Sequence, residues 1–270
     1  MMFRLLKLLA LASLGGLGAA VAPSARPMNV IVLLSDDYGW ADMGANNPQT
    51  FYETLNLDRF AAQGVRFTDG YAANPVCSPT RFAVQTGRYP SRIGLTNWLP
   101  GVRTERFREA PLTLQMPLEE TTLAEVLTAA GYRTAYVGKW HLGEEEKYWP
   151  EAQGFEINVA GWSMGRPTSY FSPYQNPRLE DGPIGEHLTE RLANETRKIL
   201  TAFKASDRPF FLQHSFYDVH TPLQARPALI EKYRAKAKRL GVKDEFVGET
   251  QYYVSATGPR QTRTVQSHAV

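Results

Sequence analysis

Residues 77–81 read Cys-Ser-Pro-Thr-Arg and hold the only cysteine of the 270-residue chain. Pro79 suits the first turn of a helix, where its missing N–H costs no hydrogen bond, and the residues after it can continue that helix until Gly87 ends it. Cys77 then sits at a helix N-terminus. Unpaired backbone N–H groups and the positive end of the helix dipole favour an anion there, and Arg81, one turn on, adds a full positive charge. A nucleophile would suit that position, although a cysteine taken alone is more often a small buried hydrophobe. Asp36 and Asp37 are adjacent carboxylates, fit for a hard cation or, equally, for a solvated helix-capping turn. Lys139 and His141, in Gly138-Lys139-Trp140-His141, and His220, in His220-Thr221-Pro222, are able to bind an anion or move a proton.

These groups converge only if the right elements carry them. Residues 29–35 form a continuous apolar, β-branched run, the pattern of a strand buried on both faces of a parallel sheet, and the run ends at Asp36. Residues 132–137 predict a second strand ending at Gly138, and 210–216 a third leading into 217–222. Ligands of open α/β sheets collect beyond the carboxyl ends of the strands, so the three ends define one rim. Helices are expected over 54–64, from Cys77 to Gly87, from Thr121 or Thr122 to 130, and over 184–204. Glu125 completes a capping box if Thr122 is the cap, and Leu188, Leu192, Ile199 and Phe203 share a face of the last helix. Short strands are expected within 65–70 and 155–159. The loop over 89–117 carries Arg103, Arg106 and Arg108, read as solvated charges or as contacts to an anionic substrate. His214, in mid-strand, reads as structural, and His187 and His268 have no supporting context.

A net charge of +3, with 43% hydrophobic and 21% charged residues and no polybasic run, describes an ordinary globular chain and excludes a disordered or nucleic-acid-binding one. Its length allows one large α/β domain. Residues 1–22 carry Arg4 and Lys7, then an apolar stretch and Ala20-Val21-Ala22, the pattern of a secretory signal peptide. That stretch is shorter than the roughly 20 residues a bilayer span needs, so no stable membrane anchor is expected and the protein reads as secreted or periplasmic. A single cysteine allows no internal disulfide, which leaves the thiol free for modification.

Cys77-x-Pro79-x-Arg81, followed by Thr86-Gly87-Arg88-Tyr89-Pro90, resembles one signature of the type I sulfatases, and the stretch from Gly131 to His141 resembles their other signature, in the expected order. The likeness runs from about residue 29 to the C-terminus, with one departure at Gln85, where the family usually has an apolar residue. It implies an alkaline-phosphatase-like α/β three-layer sandwich with a mainly parallel central sheet, here C-terminally truncated, so that 23–270 are read as the N-terminal portion of a sulfatase catalytic domain. It also implies hydrolysis of a sulfate monoester carried by a sulfated small molecule or glycan. By the same resemblance a maturation enzyme oxidises Cys77 to formylglycine, whose hydrate is the nucleophile. Asp36, Asp37 and the oxygen made from Cys77 would bind Ca²⁺, Arg81 would orient the hydrate, and Lys139 and His220 would hold sulfate oxygens. His141 would hydrogen-bond the formylglycine hydroxyl and act as base when sulfate leaves.

Ca²⁺ takes about 6 to 8 oxygen ligands, and three fall short of that. Nothing after His220 matches the Asp-Asn or Asp-His pair and the further Lys of the family, and 249–270 are polar without a closing strand. The alternatives are a catalytically dead fragment that at most binds anions or glycans, or a phosphonate or phosphate monoester hydrolase of the same fold. A sheet lacking later strands exposes an edge, and the runs at 29–35 and 209–216 are the ones expected to suffer.

Overall fold

The computed structural model describes residues 27–101 and 110–242, together with the backbone of 246–253 and 261–268. The signal-peptide assignment at 1–22, Arg103, Arg106, Arg108 and the His268 side chain lie outside the described residues. The strands are β1 (Val30–Leu34), β2 (Arg133–Gly138), β3 (Ile157–Val159), β4 (Phe210–Ser215), β5 (Phe246–Tyr253) and β6 (Gln261–His268). The α-helices are α1 (Leu55–Ala62), α2 (Cys77–Thr86), α3 (Leu123–Ala129), α4 (Leu188–Lys204) and α5 (Pro227–Leu240).

The first four strands run parallel in the order β1-β4-β2-β3, an α/β sheet with helices on both sides. Alternation along each strand divides the core. Ala135, Val137, Phe210 and Leu212 face α4 and bury Leu188, Leu192, Ile199 and Phe203, the stripe expected from the helical spacing. Each such side chain contributes about 1.5–3 kcal/mol by leaving water. Tyr136 and Phe211 point the other way, onto Phe82 of α2, Ala124 of α3 and Trp140. The register aligns Leu34 with Ser215 and Ser215 with Gly138, so β1, β4 and β2 end together on one rim.

Local sequence sets the helix ends. Thr122 Oγ1 accepts from Glu125 N at 3.1 Å while Glu125 Oε2 accepts from Thr122 N at 2.7 Å, the capping box that starts α3. Gly87, left-handed at φ 67°, ends α2 by donating its N–H to Ala83 O at 2.8 Å.

Three expectations change. β1 is an edge strand paired to β4, and Ile31 and Leu33 are 47% and 57% exposed, so it is half-buried, through Val30 and Val32, on one face only. Its apolar run hid the alternation that the sheet imposes. β4, by contrast, is the buried strand its apolar sequence predicts, lying between β1 and β2 with all six residues buried. Residues 65–70 form no strand, and Val65 and Phe67 are exposed. The polar stretch from 249 nonetheless contains most of an antiparallel β5–β6 pair, because ladder hydrogen bonds need no apolar run. Among the described residues no helix is long and apolar enough to cross a membrane.

His214 is buried in β4, with Nδ1 2.9 Å from Thr196 Oγ1 and its ring stacked on Phe216. Burial pushes its pKa down from 6.5 to about 4, so the folded state holds it neutral where the unfolded chain would protonate it. That contribution is complete above pH 6.5 and is lost as the pH falls toward 4. At about pH 5 it amounts to a loss of about 2 kcal/mol. Urea unfolding of the wild-type chain and of His214→Asn at about pH 8 and about pH 5 checks this: the stability difference between the two pH values should shrink in the variant by about that amount, and an unchanged difference would remove His214 as a source of acid sensitivity.

Candidate active site

Three strand ends and one helix start meet at the rim. Val76 is extended, at φ −125° and ψ 164°, and Cys77 opens α2, with Pro79 in the first turn where its missing N–H costs no hydrogen bond. Behind it the helix turns Ser78, Arg81 and Gln85 inward. Ser78 Oγ accepts from Leu99 N at 3.1 Å, which ties the 97–101 turn to the helix start. Gln85, the departure from an apolar residue, donates to Gln213 Oε1 at 2.9 Å, and Gln213 donates to Ser215 Oγ at 3.1 Å. A buried amide pair between α2 and β4 therefore accommodates it.

Asp36, just beyond β1, is the electrostatic centre. Arg81 Nη2 donates to its Oδ1 at 3.2 Å, and the Lys139 ammonium pairs with its Oδ2. The three side chains are only 3%, 6% and 0% exposed for Arg81, Asp36 and Lys139, so two buried cations share one carboxylate. Removing one partner of such a group typically costs about 3–5 kcal/mol, because the charge left behind remains buried. Burial, and then the Arg81 charge, pull the Lys139 ammonium below its usual range, while Asp36 opposes the shift. The Lys139 carbonyl is held as well, accepting from Arg81 Nη1 at 2.6 Å and Tyr136 OH at 2.5 Å. Gly138 makes this turn possible: its φ is 97°, and a Cβ there would lie 2.0 Å from Ser215 O.

His141 faces Cys77, with Nδ1 3.3 Å from Sγ and Nε2 2.5 Å from Leu99 O. A carbonyl only accepts, so Nε2 carries the proton and the Nδ1 lone pair points at Cys77. Burial, followed by the Lys139 charge, pushes the imidazole down to about 4, which keeps it neutral. Gly165 backs the ring. A Cβ there would come within 2.3 Å of Cε1 and 2.5 Å of Nδ1.

His220 comes from the segment after β4, which is stitched to the β1 end by Asp36 N to Asp218 O at 2.9 Å and Val219 N to Asp36 O at 2.7 Å. Its Nε2 lies 3.9 Å from Asp37 Oδ2. Tyr170 OH sits 2.7 and 2.9 Å from the carbonyls of Tyr217 and His220, and Thr189 Oγ1 meets both oxygens of the Asp218 carboxylate, so the segment is held from behind.

The structure thus brings Asp36, Asp37, Cys77, Arg81, Lys139, His141 and His220 to one rim. A cavity of about 470 Å³ is lined by Asp37, Cys77, His141 and His220, and one of about 290 Å³ by Asp36, Asp37, Cys77 and Arg81. Lys139 lines neither and is spent on Asp36. Asp36, Asp37 and His220 offer ligand atoms within 4.8 Å of one another, a group that takes in His220 and leaves out the Cys77 thiol. Two carboxylates suit a hard cation, and a carboxylate bound to two cations still has lone pairs free, so the donors fit part of a Ca²⁺ shell. Sequence reasoning missed Ser78, the Leu99 carbonyl, Tyr136, Gly165 and Asp218. A glycine within a Gly- and Pro-rich loop was a signal for Gly165; Tyr136 reaches a carbonyl only three residues on, and Ser78, Leu99 and Asp218 act through contacts between residues far apart in the chain.

A family model described as "Sulfatase" matches residues 28–266. N-acetylgalactosamine-6-sulfatase of Canis lupus familiaris is 37% identical over 257 residues, covering 85% of this chain and 47% of that protein. Arylsulfatase G of Rattus norvegicus is 32% identical over 262 residues, covering 83% and 47%. The crystal structure of Ps i-CgsB in complex with k-i-k-neocarrahexaose superposes with a TM-score of 0.66 at 27% identity, covering 78% of this chain and 49% of that one. The chain spans about half the length of the curated relatives it matches.

Gly165→Ala should expel the imidazole from its place against Cys77 and cost about 1–3 kcal/mol of stability through overpacking. Long-range proton–nitrogen NMR reads this directly. The wild-type chain should show a single Nε2-protonated tautomer for His141, and the variant a mixed population; a variant spectrum identical to wild type would show that the ring tolerates the methyl group.

Proposed function

The chain belongs to the sulfatase family, and we propose that it carries the Cys77 half of a site that hydrolyses sulfate monoesters of a sulfated small molecule or glycan. The observation that carries this reading is the surplus of buried positive charge behind Cys77: Arg81 and Lys139 face the single carboxylate of Asp36, and Cys77 itself opens α2, one turn before Arg81. Such a place stabilises an oxyanion.

Formylglycine made from Cys77 by a maturation enzyme would supply the nucleophilic hydroxyl, and Ca²⁺ held by Asp36 and Asp37 would supply Lewis-acid charge when bound. The chain's own groups do the remaining work. His141, neutral and with its Nδ1 lone pair 3.3 Å from the atom at position 77, accepts the proton of the group there. Arg81 holds Asp36 and adds positive charge beside the N-terminus of α2. Lys139 anchors Asp36 and contributes its charge from behind. His220, on the open side next to Asp37, donates to a sulfate oxygen. The relatives named for a sugar sulfate fit this substrate class. Export to the periplasm or outside the cell is the matching location for a chain whose first 22 residues read as a signal peptide.

Co-expression with a formylglycine-generating enzyme tests the reading. Mass spectrometry of the Cys77 peptide should show formylglycine, and a form extended to the length of the relatives should turn over a chromogenic aryl sulfate in preference to the matching phosphate, with activity lost roughly 10³-fold or more in Cys77→Ala. An unmodified thiol beside a matured control sulfatase, or preference for the phosphate, sinks the proposal.

A further inference from the structure

The larger cavity has a wall that the chemistry above does not use. Trp98 is 42% exposed although the indole is a large apolar group, and the turn that presents it is unusually well tied. Trp98 N donates to Asn97 Oδ1 at 2.9 Å, Asn97 Nδ2 to Gly101 O at 3.0 Å and Gly101 N to Trp98 O at 2.7 Å. Gly101 closes one side of the ring: a Cβ there would stand 2.7 and 2.8 Å from Cε2 and Cδ2 of the indole. Those two carbons form the fusion bond inside the bicycle, so the approach is through the ring face.

Trp98 lines the same cavity as Cys77 and His141, together with Met164, Glu144 and Arg166. Leu99, the next residue, hydrogen-bonds both Ser78 at the start of α2 and His141. The indole is therefore fixed in the frame of the reacting groups, with one face backed by Gly101.

We propose that Trp98 is the stacking platform for the alcohol part of the substrate, and that this part is a pyranose ring whose hydroxyls are read by Glu144 and Arg166. The inference rests on the sulfatase reading, since the sulfate end fixes which way the ring points. A sugar ring offers an apolar C–H face to an indole and hydroxyls at its edge. A carboxylate and a guanidinium lining the same cavity suit those hydroxyls, as acceptor and donor, better than they suit an aryl or alkyl group. The cavity, at about 470 Å³, is in the range of small-molecule sites.

Equilibrium binding to the full chain decides it, with inorganic sulfate, glucose 6-sulfate and 4-nitrophenyl sulfate as ligands. Trp98→Ala should weaken glucose 6-sulfate about tenfold and leave inorganic sulfate unchanged, while Trp98→Tyr, which keeps a stacking face, should restore most of the loss. Glu144→Gln should weaken glucose 6-sulfate and not 4-nitrophenyl sulfate. If Trp98→Ala loses inorganic sulfate as well, Trp98→Leu takes its place, since it keeps apolar bulk without a stacking face. Equal affinity for glucose 6-sulfate in wild type and in the Trp98 variants, with sulfate binding intact, overturns the platform and leaves the sulfatase reading standing. Tighter binding of 4-nitrophenyl sulfate with no effect of Glu144→Gln overturns the sugar assignment. Absence of binding by both sulfate and glucose 6-sulfate to the wild-type chain overturns the two readings together.

Discussion

One buried carboxylate shared by two buried cations governs this structure. Asp36 stands at the end of β1, Lys139 at the end of β2 and Arg81 one turn into α2, so their contact joins three elements that are far apart in sequence. Burying three charges is costly, and the attraction among them offsets that cost only when all are in place. The stitching around them follows from this need. Asp36 is fixed through its own N–H and carbonyl to the 218–219 backbone, and the Lys139 carbonyl receives both Arg81 and Tyr136. With one negative and two positive charges, the cluster leaves a net attraction for an anion on the side where Cys77 begins its helix.

What the sequence disclosed was local or periodic. Thr122 with Glu125, Pro79 with Gly87 and the Leu188-to-Phe203 stripe announced their elements because each signal lies within a few turns of chain. The rim was legible too, since residues placed at the ends of apolar runs must gather at one edge of a parallel sheet. Long-range partners were hidden. Nothing near His141 in sequence says that Leu99 O fixes its tautomer or that Gly165 leaves room for its ring. The apolar run of β1 misled for a related reason: composition reports how much apolar surface a strand has, while its position at an edge decides how much of that surface is covered. The surplus role of Lys139 was equally invisible, because only the structure shows its ammonium spent on Asp36.

The two sides of the sheet contribute unequally to the site. Tyr136, Phe211 and Trp140 pack beneath α2 and α3 and stiffen the base on which Cys77 and His141 meet, with Tyr136 and Trp140 edge to face at 5.0 Å. On the opposite face, α4 carries Thr189, which reaches Asp218 and so steadies the His220 segment. Each half of the rim is therefore held by a different hydrophobic layer, and the parallel sheet is what keeps the halves in register.

The Gln85–Gln213 pair gives that register a form of error checking. Apolar surfaces slide and rotate over one another at little cost, whereas two facing amides lose their match as soon as one surface turns. Rotating α2 by a single residue, about 100°, would carry Gln85 away from β4 and leave its Nε2 donor and the Gln213 Oε1 acceptor unpaired in a dry interior, at about 1–3 kcal/mol for each unpaired group. The same rotation would swing Cys77 off His141 and Arg81 off Asp36. An amide in place of an aliphatic side chain thus makes the mis-threaded helix distinguishable from the correct one in energy, two turns away from any reacting atom.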